Sequence, residues 1–223
     1  MSLVDELSKI SNAYSYKQPP GDTQDMSRVP NDEAYQHALN YVNNYGFALD
    51  VGGHVGSMTR RLAPKFDRVV AFEPAFHKYT KLNTKEFNNV TVEPHGLGNE
   101  EKTEQMWIMK KRTGGSSIVR HPRRWKLWQH KSDKQEISIK TLDSYQFTNI
   151  DFIKIDVESY EWFVIDGARE TLTNNSPIIM IEYLEGFKHD TYPPNVTHNL
   201  LEQELKYKRV ITVGDDHIYI PRS

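Results

Sequence analysis

The chain predicts a doubly wound, mostly parallel α/β sheet of seven strands that finishes in an antiparallel C-terminal hairpin. Three observations carry that expectation. Short apolar runs alternate with stretches of helical periodicity along 223 residues, the order that builds a sheet with helices on both faces. The first buried run ends on an acid and a glycine turn, Asp50-Val51-Gly52-Gly53-His54-Val55-Gly56. The last two runs, Arg209 to Val213 and His217 to Ile220, are joined by Gly214-Asp215-Asp216, a hairpin signal.

Residues 1–30 are polar and interrupted by Pro19-Pro20-Gly21 and Pro30, so they read as a loosely packed N-terminal arm with one short helix, Leu3 to Ile10. The main domain then spans 31–223. Pro30-Asn31-Asp32-Glu33 is a helix start with an N-cap and an acid in the first turn. Ala34, Ala38, Tyr41, Val42 and Tyr45 follow at helical spacing. Phe47-Ala48-Leu49 is the first strand, Ser57 to Ala63 a helix, and Arg68 to Phe72 the second strand. A helix from Ala75 to Phe87 leads to a strand at Val90 to Glu93 and the turn His95-Gly96-Leu97-Gly98-Asn99. Gln105 to Met109 and Glu136 to Lys140 read as strands flanking a basic segment. Phe152 to Ile155 is a buried strand ending on Asp156, Tyr160 to Leu172 a helix with a glycine inside it, and Pro177 to Glu182 a further strand. Val196 to Leu205 is helical.

Composition bounds the function. Hydrophobic residues make up 37% and charged residues 26%, which suits a globular chain and not a disordered one. No apolar run reaches the roughly 18 residues needed to span a bilayer, and the first residues lack a basic start with an apolar core. A cytoplasmic location is therefore expected. The absence of cysteine rules out disulfides and thiolate metal sites. Charge is uneven: of 28 Lys/Arg and 30 Asp/Glu, nine bases and one acid lie in residues 110–135, leaving 19 and 29 elsewhere. Such asymmetry points to a partner.

Strand, glycine turn, helix, strand and acid together form the unit that binds an adenosine-containing cofactor. The glycines admit the ligand to the backbone, and a helix N-terminus offers it unpaired N–H groups. Glu73 lies 21 residues beyond Gly52, where a carboxylate accepts ribose hydroxyls. A dinucleotide fingerprint would need glycines at 51, 53 and 56, and Val51 breaks it. Asp50 repels a pyrophosphate but suits the amino group of S-adenosylmethionine.

On these residues the chain resembles the FkbM-type family of class I methyltransferases. The resemblance covers residues 46–184 and rests on Asp50 to Gly56, Phe72-Glu73-Pro74, Gly96-Leu97-Gly98, Gly114-Gly115-Ser116-Ser117, Lys140 to Ser144, Ile153 to Glu158 and Pro177 to Glu182, all in order. Two positions depart from the family pattern: His54 stands where a small or amide residue is usual, and Ser159 replaces a glycine. The resemblance implies a Rossmann-like methyltransferase fold and transfer of a methyl group from S-adenosylmethionine, mostly to hydroxyls of sugars and natural products.

The strand-end acids supply the candidate chemistry. Asp50 with Gly52, Gly53 and Gly56 is expected to hold the methionine part, and Glu73 with Pro74 the ribose. His95, Gly96 and Leu97 are placed beside adenine. Asp156 is counted with the cofactor and also with catalysis. An alcohol attacks only after a base or metal takes its proton, so Asp156, Glu158 and Glu182 are candidates for that base or for an oxygen-rich Mg²⁺ site. The competing reading has Glu158 and Glu182 capping helices or pairing with Lys154 and Arg169. His54 is a rival base, although a solvent-facing turn histidine is the preferred reading.

Residues 110–135 are expected to form a basic lid or insertion over the acceptor. Ser116 and Ser117 sit at its hinge, and Arg120, Arg123, Arg124, Trp125 and Trp128 interleave cations with aromatics. Trp125 and Trp128 also fit one buried helix face. The acceptor is thus expected to be an anionic glycan or glycosylated small molecule. Rival readings are a nucleic-acid 2′-O-methyltransferase, disfavoured by the acidic remainder, and a non-catalytic scaffold. No membrane span is expected, and homo-oligomerisation stays open.

Overall fold

The computed structural model describes residues 15–24, 32–119, 132–183 and 195–222. Helix α1 (Asp32–Leu39) leads into strand β1 (Phe47–Val51), α2 (Ser57–Leu62), β2 (Arg68–Phe72), α3 (His77–Asn83) and β3 (Val90–Glu93). Then come β4 (Gly96–Leu97), β5 (Lys102–Met109), β6 (Ser132–Lys140) and β7 (Phe152–Ile155). Helices α4 (Glu161–Asp166) and α5 (Arg169–Asn175) precede β8 (Ile178–Glu182), α6 (Val196–Asn199), β9 (Tyr207–Val213) and β10 (Asp216–Pro221). Seven strands form one sheet in the order β3-β2-β1-β7-β8-β10-β9. All pairs are parallel except those made by β10, which runs antiparallel to β8 and β9. The expected doubly wound sheet with its closing hairpin is thus the observed one.

Period-two alternation sends each strand's residues to two cores. Leu49, Val51, Ile153, Ile155, Ile179 and Ile181 enter the core that includes Val164 and Ile165 of α4. Ala48, Phe152, Met180 and Ile218 enter the other, with Ala34, Tyr35 and Ala38 of α1. The same alternation assigns Asp50, Lys154, Glu182 and Asp216 to the α1 face, so charge replaces apolar residues at one end of that face.

Several expected elements differ in detail. Gly96 and Leu97 are not merely a turn: β4 pairs in parallel with β6, and β6 pairs antiparallel with β5. The strands flanking the basic segment therefore form a separate three-stranded sheet, β4-β6-β5. The helix expected over Tyr160 to Leu172 is two helices separated by Gly167-Ala168. The backbone at Gly167 meets the turn after β4 so closely that a Cβ there would lie 1.9 Å from the Gly98 carbonyl oxygen. The Val196 to Leu205 helix passes into a π-helical turn, Leu200–Glu204, where the Leu205 N–H donates to the Leu200 carbonyl at 3.0 Å. Residues 15–24 do not lie loose. The Lys17 N–H donates to Asn83 Oδ1 at 2.8 Å, and the Thr23 N–H to the Lys111 carbonyl at 3.0 Å. The expected helix over Leu3 to Ile10 lies outside the described residues. Among the described residues no helix is long and apolar enough to cross a membrane.

The Gly167 contact gives a direct test. Gly167→Ala is expected to lower stability by about 1–3 kcal/mol through overpacking, read as a shifted urea midpoint. Gly115→Ala is the control, because nothing lies within 4 Å of a Cβ built there. Equal midpoints for the two variants would show that the backbone yields at Gly167 without cost.

Candidate active site

Register brings the site together. Val51 of β1 is paired with Phe72 of β2 and with Ile155 of β7. The next residues, Gly52, Glu73 and Asp156, therefore leave three neighbouring strands at one level. This is the carboxyl end of the sheet, where ligands of open α/β folds bind. All three line a cleft of about 570 Å³, including its open mouth. Pro74, Gly96, Leu97, Ser116, Glu158 and His54 line it too. So do Phe76, Met106, Ile118 and Ile137, none of which the sequence singled out. Met106 in β5 and Ile137 in β6 alternate as in any strand, so nothing in the sequence marks them for the cleft.

The glycine turn is a backbone device. Gly52 has φ +90°, and a Cβ there would lie 1.8 Å from the Asp156 carbonyl oxygen. The N–H groups of Gly52 and Gly53 both donate to the Phe72 carbonyl, at 3.0 and 3.1 Å. Gly53 and Gly56 shape the turn from behind and do not line the cleft. Asp50 also departs from its expected place. It is buried under the turn, where its Oδ2 accepts a 2.5 Å hydrogen bond from the Thr59 hydroxyl, and burial pushes its pKa up to about 6. The strand's alternation turns its side chain into the α1 face, where the Thr59 bond ties it to the helix after the turn. His95 does not line the cleft either; its neighbours Gly96 and Leu97 do.

Glu73 is fully enclosed. Its Oε1 accepts from the N–H groups of Ala75 and Phe76 at 2.8 and 2.9 Å, and its Oε2 from the His54 N–H at 2.8 Å. Burial pushes its pKa up to about 7 against the pull of those donors. His54 is not a solvent-facing turn residue. Its Nε2 lies 2.7 Å from the Thr113 hydroxyl, and its ring meets Phe76 edge-on at 5.2 Å. Burial lowers its pKa to about 4, which keeps the imidazole neutral.

Carboxylate oxygens of Asp156, Glu158 and Glu182 all lie within 4.8 Å of one another, as the sequence suggested. Lys154, absent from the candidate list, changes what this cluster can do. Its Nζ is 3.1 Å from Asp156 Oδ2 and 3.8 Å from Asp216 Oδ1. Burial opposes the Asp156 charge, but the Lys154 ammonium together with hydrogen bonds from Glu182 and Lys154 holds Asp156 below the usual carboxylate range. Repulsion from Asp156, then burial, pushes Glu182 up to about 10, so it is protonated at neutral pH and hydrogen-bonds Asp156. A buried ammonium thus already neutralises Asp156, and one of the three carboxyls keeps its proton. An Mg²⁺ ion at this cluster would compete with Lys154 for Asp156 and displace the Glu182 proton.

Glu158 and Ser159 have φ +53° and +77°. Ser159 occupies a left-handed conformation that glycine adopts at no steric cost, which explains why the family pattern has glycine there. Ser117 holds this strained turn by donating to the Glu158 carbonyl at 2.5 Å, and its backbone pairs with Trp107. Ser116 Oγ is engaged by the Met109 N–H at 3.0 Å. Both serines are tied to structure, although Ser116 also faces the cleft. Arg120, Arg123, Arg124, Trp125 and Trp128 lie outside the described residues.

A glycine turn after β1, an acid after β2, a third after β7 and an antiparallel β10 inserted beside β8 define a Rossmann-like methyltransferase fold. The family model described as "Methyltransferase FkbM domain" matches residues 50–208. The chain belongs to the FkbM methyltransferase family. No curated protein matches it. Among solved structures it is similar to Methyltransferase FkbM from Methylobacillus flagellatus KT, with TM-score 0.53 and 19% identity, covering 79% of this chain and 43% of that one. It is also similar to Precorrin-6y C5,15-methyltransferase from Geobacter metallireducens GS-15, with TM-score 0.50 and 13% identity, covering 92% and 91%. At these identities the likeness is one of fold. The chain spans less than half the length of the Methylobacillus protein.

Glu73 yields a pH prediction. A folded-state pKa raised to about 7 from 4.5 gives stability that is present below pH 4.5 and lost as pH rises through 7. Urea titrations from pH 4.5 to 8 should find the wild type losing on the order of 3 kcal/mol relative to Glu73→Gln. Parallel curves for the two proteins would mean that Glu73 is already ionised throughout.

Proposed function

We propose that the chain transfers a methyl group from S-adenosylmethionine to a hydroxyl of an anionic glycan or glycosylated small molecule. The observation that carries this reading is the arrival of Gly52, Glu73 and Asp156 at one cleft. Gly52 supplies a backbone surface with no side chain in the way. Glu73, once ionised, accepts two ribose hydroxyls, and Leu97, Ile137 and Met106 offer apolar contact to the base. The cofactor, when bound, supplies a carbon activated by sulfonium. The protein's part is to align the acceptor and take its proton. Asp156 is the proton acceptor: Lys154 keeps it ionised, and Glu182 donates a hydrogen bond that orients it. As the proton reaches Asp156, the repulsion that holds Glu182 protonated relaxes, so the pair shares the change. Membership of the FkbM family supports the reaction class, and the family resemblance supports a hydroxyl acceptor.

The reading is tested by calorimetry with S-adenosylmethionine, then by transfer from methyl-labelled cofactor to a panel of glycans, nucleotides and lipids. Binding followed by label on a glycan hydroxyl is the expected result. Label on nucleotides alone would favour the 2′-O-methyltransferase, and no cofactor binding would favour a scaffold.

Asp156→Asn is expected to lose turnover on the order of 100-fold or more, as for a general base, and its urea midpoint is measured alongside because Lys154 keeps only Asp216 as counter-ion in that variant. Because Lys154 already serves Asp156 as counter-ion, wild-type turnover should be indifferent to EDTA. Loss to the chelator with recovery on adding Mg²⁺ would instead assign Asp156 to a metal.

The basic segment provides the acceptor's charge preference. Nine Lys/Arg in residues 110–135 of an otherwise acidic chain raise the local concentration of an anion, an effect that salt screens. Replacing Arg120, Arg123 and Arg124 by glutamine should raise acceptor KM by about tenfold or more and leave cofactor affinity unchanged. Added salt should do the same to the wild type. A KM insensitive to both would mean a neutral acceptor.

A further inference from the structure

We propose that Asp22, in the N-terminal arm, is a positioning residue for the cofactor site, acting through Thr113 on His54. This rests on the cofactor reading of the cleft given above. The arm is stitched to the body of the domain at both ends, one of them beside the cleft. At one end Lys17 and Asn83 exchange two hydrogen bonds, both 2.8 Å. At the other, the Thr23 N–H donates to the Lys111 carbonyl at 3.0 Å and the Gly114 N–H to Gln24 Oε1 at 3.1 Å. Between them Asp22 accepts a hydrogen bond from the Thr113 hydroxyl.

Proton counting fixes the rest. Thr113 is buried and its hydroxyl carries one proton. An ionised Asp22 carboxylate only accepts, so that proton is committed to it. The second partner of the hydroxyl, His54 Nε2 at 2.7 Å, must then be the donor. The imidazole is held as the Nε2–H tautomer with Nδ1 unprotonated. The arm thereby dictates the state of a ring that lines the cleft.

His54 needs such support. Its φ of +46° is a conformation that a residue with a branched or bulky side chain keeps only when its surroundings over-determine it. Three bonds do so here. The ring bonds to Thr113, the backbone N–H donates to Glu73 Oε2, and the backbone carbonyl accepts from the Thr80 hydroxyl. Releasing the ring lets the backbone relax and takes one of three N–H donors from the ribose-binding carboxylate. The arm and the ribose acid are thus linked through Asp22, Thr113, His54 and Glu73.

The test uses the full chain with S-adenosylhomocysteine as probe. In the ligand-free protein, ¹H–¹⁵N spectra should contain a slowly exchanging Nε2–H resonance for His54, assigned by its loss in His54→Gln. Asp22→Ala and Thr113→Val should abolish that slow exchange and weaken probe binding by about tenfold, the scale of one hydrogen bond. Thr113→Ser, which keeps the hydroxyl, should restore both. Asp22 lies on the arm, so its variant separates the effect from any misfolding of the buried Thr113→Val. Failure of the wild type to bind the probe would overturn the cofactor reading and this proposal together. Wild-type binding that Asp22→Ala leaves unchanged, or absence of the slow resonance from the wild type, would overturn the proposal alone.

Discussion

The site depends on one close approach. The turn after β1 and the end of β7 lie so near that Gly52 has room for a hydrogen and no more. Parallel pairing of β1 with β7 sets the distance, and a positive φ carries the chain over the neighbouring carbonyl. Any side chain there would separate the glycine turn from Asp156 and split the cleft into two unrelated surfaces. The cofactor side and the acid side share one mouth because a single residue has no Cβ.

Behind that contact lies a set of buried charges. Asp50, Lys154 and Asp216 are almost wholly removed from water, which is costly unless the charges are paired. Lys154 meets the cost by serving two acids at once, Asp156 at 3.1 Å and Asp216 at 3.8 Å. Burial also raises Asp50 and Asp216 to about 6 each, so part of the charge can be given up. The arrangement leaves Asp156 ionised with one side toward the cleft, while Glu182 beside it keeps its proton. Two neighbouring carboxyls with pKa values driven apart are the usual signature of a divided acid–base role. Their separation comes from Lys154 and from mutual repulsion, not from the acids themselves.

The small sheet and the arm turn this strand-end cluster into an enclosed site. β5 and β6 bring Met106 and Ile137 over the glycine turn, and the segment after β5 brings Thr113 and Gly114. The break at Gly167 lets α4 and α5 pass beneath the β4 turn. Two segments that look peripheral along the chain, residues 15–24 and 113–117, thus reach the centre of the molecule's chemistry.

The sheet, the cleft acids Gly52 leads to, and Glu73 and Asp156 themselves were legible in the sequence. Their signals are local: a short apolar run, then a glycine or an acid where the run stops. Strand order within a parallel sheet carries those residues to one edge without further information. The place of Asp50 was not legible, because its side chain follows strand alternation into the sheet face while its position in the motif suggests the ligand. Lys154 was legible only as a partner for Glu158 or Glu182; that it serves Asp156 and, beyond β8, Asp216 of β10 came from the sheet order. The close approach at Gly167, the tautomer of His54 and the reach of Asp22 depend on contacts between distant segments, 59 residues apart for His54 and Thr113 and 91 for Asp22 and Thr113. The sequence by itself determined where the chemistry-bearing residues leave their strands, since that is written in adjacent residues. Which of them face the cleft, which are neutralised and which are held from afar was decided by tertiary packing, because burial and charge pairing arise only when distant segments meet.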